Sequence, residues 1–143
     1  MSEQNKILER TLIEEVWNRG NLALIDKLVS ADFRGHSSSP ETDTRGTEGY
    51  RQYYVGLRTA FPDIHFTIED QIAEGDRVVT RWTARGTHQA EYAGVPATGR
   101  EGVIAGVTTD RIADGRSVEC WTSIDELGLM RQLGVLPGAG QAA

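Results

Sequence analysis

Apolar and polar positions follow two different periods along the chain, and the change of period divides it. Between Ser2 and Arg19, Ile7, Leu8, Leu12, Ile13, Val16 and Trp17 recur at the three- and four-residue intervals of a helical stripe. The spacing predicts an amphipathic helix that ends near Gly20. Asn21 is placed to cap a second, short helix whose Leu22, Ile25, Leu28 and Val29 form another apolar edge. Asp32 to Gly46 has loop composition and no period, so it predicts a loop around Phe33 and His36. Thr47 then opens a third helix through Tyr50, Tyr53, Tyr54, Leu57 and Phe61, which Pro62 ends.

Beyond Pro62 the period becomes two. Ile64 to Ala73 alternates as a strand does, and Glu74-Gly75-Asp76 has the composition of a tight turn. Arg77 to Arg85 alternates more strongly, with Val78, Thr80, Trp82 and Ala84 on the face expected to meet the core. Thr87 to Gly99 predicts a shaped loop. A strand over Glu101 to Arg111 turns at Ala113-Asp114-Gly115 into a last strand from Arg116 to Asp125. Strands joined by such short turns pair antiparallel. The expected fold class is therefore α+β, with three or more helices against a curved antiparallel sheet. Asp125 is placed to cap a short terminal helix over Glu126 to Leu133, and Gly138 to Ala143 reads as a tail behind a domain of residues 1–137.

Composition narrows the function classes. A chain of 143 residues suits one domain, and 38% hydrophobic with 25% charged residues argues against disorder. Fifteen Lys and Arg against twenty-one Asp and Glu give a net charge of -6, which would repel a phosphate backbone, so no nucleic-acid partner is expected. No apolar run approaches the ~20 residues of a membrane span. Ile7 and Leu8 run at once into Glu9 and Arg10, unlike a secretory leader, so a cytoplasmic location without a membrane partner is expected. Cys120, the single cysteine, cannot close an intrachain disulfide or build a thiolate cluster, and it reads as a small buried packing residue. No paired-histidine metal site and no phosphate-binding glycine fingerprint is present.

The candidate chemistry lies in a few side chains. His36 and His88 can exchange a proton near neutral pH if they face a cavity, with loop anchoring as the plainer role. Strand alternation puts Asp110 on one face with Thr108, Cys120 and Thr122, where it could serve as a base or as a structural hydrogen-bond acceptor. Trp17, Tyr50, Tyr53, Tyr54 and Trp82 supply rings that could wall a ligand site or complete the core. A hydrophobic or aromatic small molecule is the expected ligand.

Several segments form a recognisable series. Phe61-Pro62-Asp63-Ile64-His65-Phe66, Glu74-Gly75-Asp76-Arg77-Val78-Val79, Gly86-Thr87-His88, Gly94-Val95-Pro96-Ala97-Thr98-Gly99-Arg100 and Arg111-Ile112-Ala113-Asp114-Gly115 are followed by Glu119-Cys120-Trp121 and Leu129-Met130-Arg131-Gln132-Leu133-Gly134. In this order they resemble the SnoaL-like polyketide cyclase family, from the first helix to Leu136. The resemblance implies a cone-like sheet around a deep pocket, similar to the nuclear transport factor 2 and ketosteroid isomerase superfamily. It also implies a homodimer or higher homo-oligomer, with the face bearing Arg81, Arg85, Glu119 and Trp121 as the associating surface. Intramolecular aldol closure of a polyketide ester without metal, flavin or nicotinamide is the implied activity. Epoxide hydrolysis, hydroxylation or noncatalytic binding in the same pocket are the alternatives. Characterised cyclases carry an acid-base Asp where this chain has Thr122, a supporting His where it has Thr108, and a second His where it has Cys120. A threonine hydroxyl does not titrate near neutral pH, so the proton-transfer groups must come from elsewhere.

Overall fold

The computed structural model describes residues 2–37 and 43–135. The predicted tail at Gly138 to Ala143 lies outside the described residues. Helix α1 (Ser2–Thr11) continues as one wider-wound segment, Leu12–Asn18. A 3-10 turn at Leu22–Leu24 and the short α2 (Ile25–Leu28) follow. Then come β1 (Val29–His36), β2 (Thr44–Arg45), α3 (Gly46–Ala60), β3 (His65–Glu74), β4 (Arg77–Thr87), β5 (Glu101–Ala113), β6 (Arg116–Ile124) and α4 (Glu126–Gln132).

The strands form a six-stranded sheet in the order β2-β1-β6-β5-β4-β3. Its β3-β4-β5-β6 portion is the expected antiparallel meander, but β1 pairs with β6 in parallel, so the sheet is mixed. The expectation of a cone-like curved antiparallel sheet is corrected accordingly. β2 and β3 are its two separate edges, and the sheet is neither strongly curled nor closed. The difference arises in Asp32 to Gly46, expected as a loop. Backbone pairing to Glu119, Cys120 and Trp121 draws Arg34, Gly35 and His36 into a strand despite their poor strand propensity, because context outweighs it.

Helix packing fixes the cavity between sheet and helices. Leu8, Leu12 and Val16 share one buried cluster with Ile25, Val29, Phe33, Val78 and Ile112. Ile13, Phe61, Phe66, Trp82, Ile104 and Leu129 belong to a second. Trp17 packs against both clusters, with its ring edge-on to Tyr50, Tyr54 and Phe66 at centroid distances of 5.7, 5.5 and 5.7 Å. Ile7, assigned to the apolar stripe by spacing, is instead 60% exposed.

Polar contacts lock these layers. Asn18 donates to Phe66 O at 2.9 Å and accepts from Phe66 N at 2.7 Å, extending the edge of β3 with a side chain in place of a strand. Arg58 of α3 donates to Trp17 O at 2.6 Å, Asn18 O at 3.1 Å and Ile64 O at 3.0 Å, satisfying carbonyls that the first helix leaves open at its end. Asn21 makes no side-chain cap. Asp125 does cap α4, accepting from Gly128 N at 2.9 Å, a contact of a kind typically contributing ~1 kcal/mol.

Candidate functional site

A cavity of about 120 Å³ opens between the first helix, α3 and the inner face of the sheet. One water needs only ~10–15 Å³ by this measure, so the space admits a multi-atom organic molecule. Its walls are mostly apolar: Ile13 and Trp17 from the first helix, Phe33 from β1, Phe66 from β3, and Trp82 and Ile104 from β4 and β5. Tyr50 and Tyr53 of α3 border it as well.

The inner-face alternation carries the polar groups. Thr108, Asp110, Cys120 and Thr122 all line the cavity, with Thr108 opposite Thr122 and Asp110 opposite Cys120 in the β5-β6 ladder. Trp82 Nε1 donates to Thr108 Oγ1 at 3.0 Å, and the two threonine hydroxyls lie 3.3 Å apart. Cys120 Sγ is 3.9 Å from Thr122 Oγ1. Burial and the charge of Asp110 push the Cys120 thiol up, so it remains protonated and a poor nucleophile at neutral pH. Tyr50 Oη accepts from Trp17 Nε1 at 2.8 Å, which leaves its own proton available to an oxygen in the cavity. Burial and the charge of Glu9 hold the Tyr50 phenol well above its ordinary range.

The most unusual wall is a pair of carboxyl groups. Glu9 and Asp110 are 5% and 4% exposed, lie side by side and both border the cavity. Ser117 Oγ donates to Asp110 Oδ1 at 2.7 Å. Glu9 Oε2 and Asp110 Oδ2 receive no hydrogen bond from any N–H or hydroxyl of the described residues. Desolvation raises both carboxyls, Glu9 well above the ordinary carboxylate range, with the Asp110 charge adding to its shift.

Glu9 is not legible in the sequence as a site residue, because it sits between Leu8 and Arg10 and resembles any solvated helix carboxylate. A signal existed nonetheless. Glu9, Ile13 and Trp17 are spaced i, i+4, i+8, and at about 100° per residue Glu9 falls inside the stripe formed by Val16 and Ile13. All three line the cavity.

The histidines stand apart from this wall. His36 borders the cavity, but its imidazole is held by Glu119 Oε2 at 2.7 Å and Asp43 Oδ2 at 3.1 Å and stacks on Trp121. Strand alternation places Glu119 and Trp121 on the face opposite Cys120 and Thr122, so the ring is engaged away from the cavity. Hydrogen bonds to Glu119 and then Asp43 raise its pKa and favour the charged form, and through Glu119 the ring ties β1 to β6. His88 is fully buried outside the cavity lining. Its Nδ1 accepts from Thr98 N at 3.2 Å while the ring stacks on Phe61, an arrangement that closes the loop between Thr87 and Glu101. Tyr54 is also outside the lining and packs in the core beside Trp17, whereas Trp17, Tyr50, Tyr53 and Trp82 surround the cavity.

The same fold occurs in known proteins. The pattern of the SnoaL-like polyketide cyclase family matches residues 7–133. The chain belongs to this family. Among solved structures, wild-type IdmH from Streptomyces antibioticus, provisionally assigned as a polyketide cyclase, is 35% identical with a TM-score of 0.79, covering 92% of this chain and 99% of that one. AclR from Streptomyces galilaeus, provisionally assigned as a hydroxylase, is 32% identical with a TM-score of 0.83, covering 96% and 100%. A SnoaL-like protein from Jannaschia sp. CCS1 is 25% identical with a TM-score of 0.86, covering 95% of each chain. No protein of curated function matches the chain. This SnoaL-like protein has no helix, among its described residues, long and apolar enough to cross a membrane. Nor, among those residues, does any group of three or more His, Cys, Asp or Glu side chains come together to hold a metal ion.

Proposed function

We propose that this SnoaL-like protein converts an apolar, oxygenated polyketide-type metabolite by proton transfer in the aromatic-walled cavity, with Asp110 as the base. The observation that carries this reading is a buried carboxyl group on the wall of an otherwise apolar cavity. Burial lifts Asp110 from its ordinary value toward the range in which a carboxylate both exists and abstracts protons effectively. Asp110 thus supplies what Thr122 and Thr108 cannot. Ser117 fixes the carboxylate through one oxygen. Tyr50, whose oxygen is occupied by Trp17, directs its proton toward developing negative charge on a substrate oxygen.

Intramolecular aldol closure fits these roles. A proton beside a carbonyl leaves to Asp110, the resulting carbon attacks a second carbonyl, and that oxygen is protonated. The apolar walls favour a flat, neutral body that stacks on Trp17 and Trp82. The likeness to a protein assigned as a hydroxylase makes oxygen insertion the competing reaction. Incubation with anthraquinone β-keto esters and polycyclic epoxides, followed by chiral chromatography and mass spectrometry, separates the readings. Cyclisation yields an isomer of unchanged mass. Added oxygen indicates hydroxylation, added water indicates epoxide hydrolysis, and tight binding of unchanged compound indicates a noncatalytic binder.

The proposal includes a homodimer or higher homo-oligomer formed through the outer sheet face. Ile72, Val79, Thr109 and Trp121 form one cross-strand row there, and Ile72, Val79 and Val107 are 64%, 36% and 39% exposed. Arg81 and Arg85 are exposed on that same face. Light scattering is expected to give at least twice the 15.7 kDa chain mass, and a monomer at micromolar concentration would refute this association.

A further inference from the structure

The proposed reaction needs both an acceptor for the proton leaving carbon and a donor for the oxygen that becomes a hydroxyl. The cavity holds two carboxyl groups side by side. Two buried carboxylates this close cannot both ionise without strong repulsion. No cation is placed to relieve it: His36, the only Lys, Arg or His side chain among the described residues bordering the cavity, is committed on the opposite face. The groups around the pair are neutral, namely Tyr50 and Cys120, whose protons burial retains, and the Ser117 hydroxyl. One proton between the carboxyls removes the repulsion and occupies oxygens that no other donor among the described residues reaches. Ser117 already donates to Asp110 and therefore favours its ionised form, which assigns the proton to Glu9.

We infer that Glu9 and Asp110 form a one-proton catalytic dyad, in which Asp110 removes a proton from carbon beside a substrate carbonyl and Glu9 protonates the oxygen that becomes the new hydroxyl. The inference rests on the cyclisation reading above and assigns its acid. In the balanced step, a C–H bond breaks toward Asp110, a C–C bond forms, and the attacked C=O becomes C–O–H with the proton of Glu9. The pair then holds its one proton on Asp110. Transfer across the contact between the two carboxyls returns it to Glu9, so the dyad is restored with no oxidant, reductant or external base consumed. Glu9 comes from α1 and Asp110 from β5, so packing of helix on sheet assembles the dyad.

Two measurements test this on the intact protein. First, carbon-13 NMR of Asp and Glu carboxyl groups is expected to show one proton retained by the pair at pH 7, with one titrating group lost in E9Q. Second, α-tetralone in heavy water serves as a carbon-acid probe. The wild-type chain is expected to catalyse exchange of its α-protons and D110N to lower that rate by about 100-fold or more, whereas E9Q is expected to lower cyclisation of an anthraquinone β-keto ester by about 100-fold or more. Two carboxyls that both ionise in the ordinary range would overturn the dyad, and this titration needs no variant to fold. Wild-type cyclisation by E9Q beside loss in D110N would also overturn it, leaving Asp110 as a lone base and the cyclisation reading intact. No exchange by the wild-type chain would remove both.

Discussion

Asp110→Asn is expected to lower turnover by about 10²- to 10⁴-fold, the usual contribution of a positioned general base, while the fold persists. The amide keeps the shape of the carboxyl group and can still accept from Ser117, so packing around β5 should survive. What it loses is the capacity to take a proton. Stability should move in the opposite direction from activity as pH rises. Both pair members titrate above their ordinary values in the folded chain, so over that interval the folded state binds more protons than the unfolded state. Their contribution is therefore fully present below the unfolded carboxylate values near pH ~4 and is lost as pH rises through the raised values. D110N removes one of the two groups, so its melting temperature should fall less steeply above pH ~4 than that of the wild-type chain. Product formation and melting curves across pH separate the possibilities. A variant that retains turnover would dismiss Asp110 as the base, and one that loses activity only in proportion to unfolding would make the carboxyl structural.

The route to this site through the sequence was uneven for physical reasons. Val78, Thr80, Trp82 and Ala84 were legible as the inward face of β4 because a half-buried strand writes its orientation into a period of two. Asp125 was legible because an N-cap depends on neighbours only three residues away. β1 was not. Arg34, Gly35 and His36 are held by parallel pairing with residues more than eighty positions later, and local composition contains no trace of such a partner. The open edges of the mixed sheet follow from that same pairing. Among site residues, Asp110 was placed on the inner face by alternation, whereas the imidazole expected of His36 as a base is spent on Glu119 and Asp43. Glu9 was hidden by chemistry rather than by position, since a charged residue inside an apolar stripe reads as solvated until its partner across the fold is known.

Trp82→Ala should be the most damaging change to the architecture of the cavity wall. The indole is 7% exposed, meets Phe66 edge-on at a centroid distance of 5.1 Å and donates to Thr108 Oγ1 at 3.0 Å. Truncation of such a ring typically costs ~3–5 kcal/mol, and the lower end applies where one side of the ring already borders empty space. Calorimetry should then record a melting temperature lower by roughly 10 °C for a chain of this size. The strand opposite supplies an independent check. Gly106 pairs with Trp82 across the β4-β5 ladder, and a Cβ added there would lie 2.5 Å from Trp82 Cη2. Gly106→Ala should therefore cost ~1–3 kcal/mol by forcing the indole off its seat. With Trp82 already truncated, the added methyl should enter vacated space and recover part of the loss, making the two changes non-additive. Simple additivity would mean that the glycine is needed for its backbone and not for the ring. Coupling would show that the bare backbone of β5 seats the indole, and with it the hydrogen bond that orients Thr108 beside Thr122.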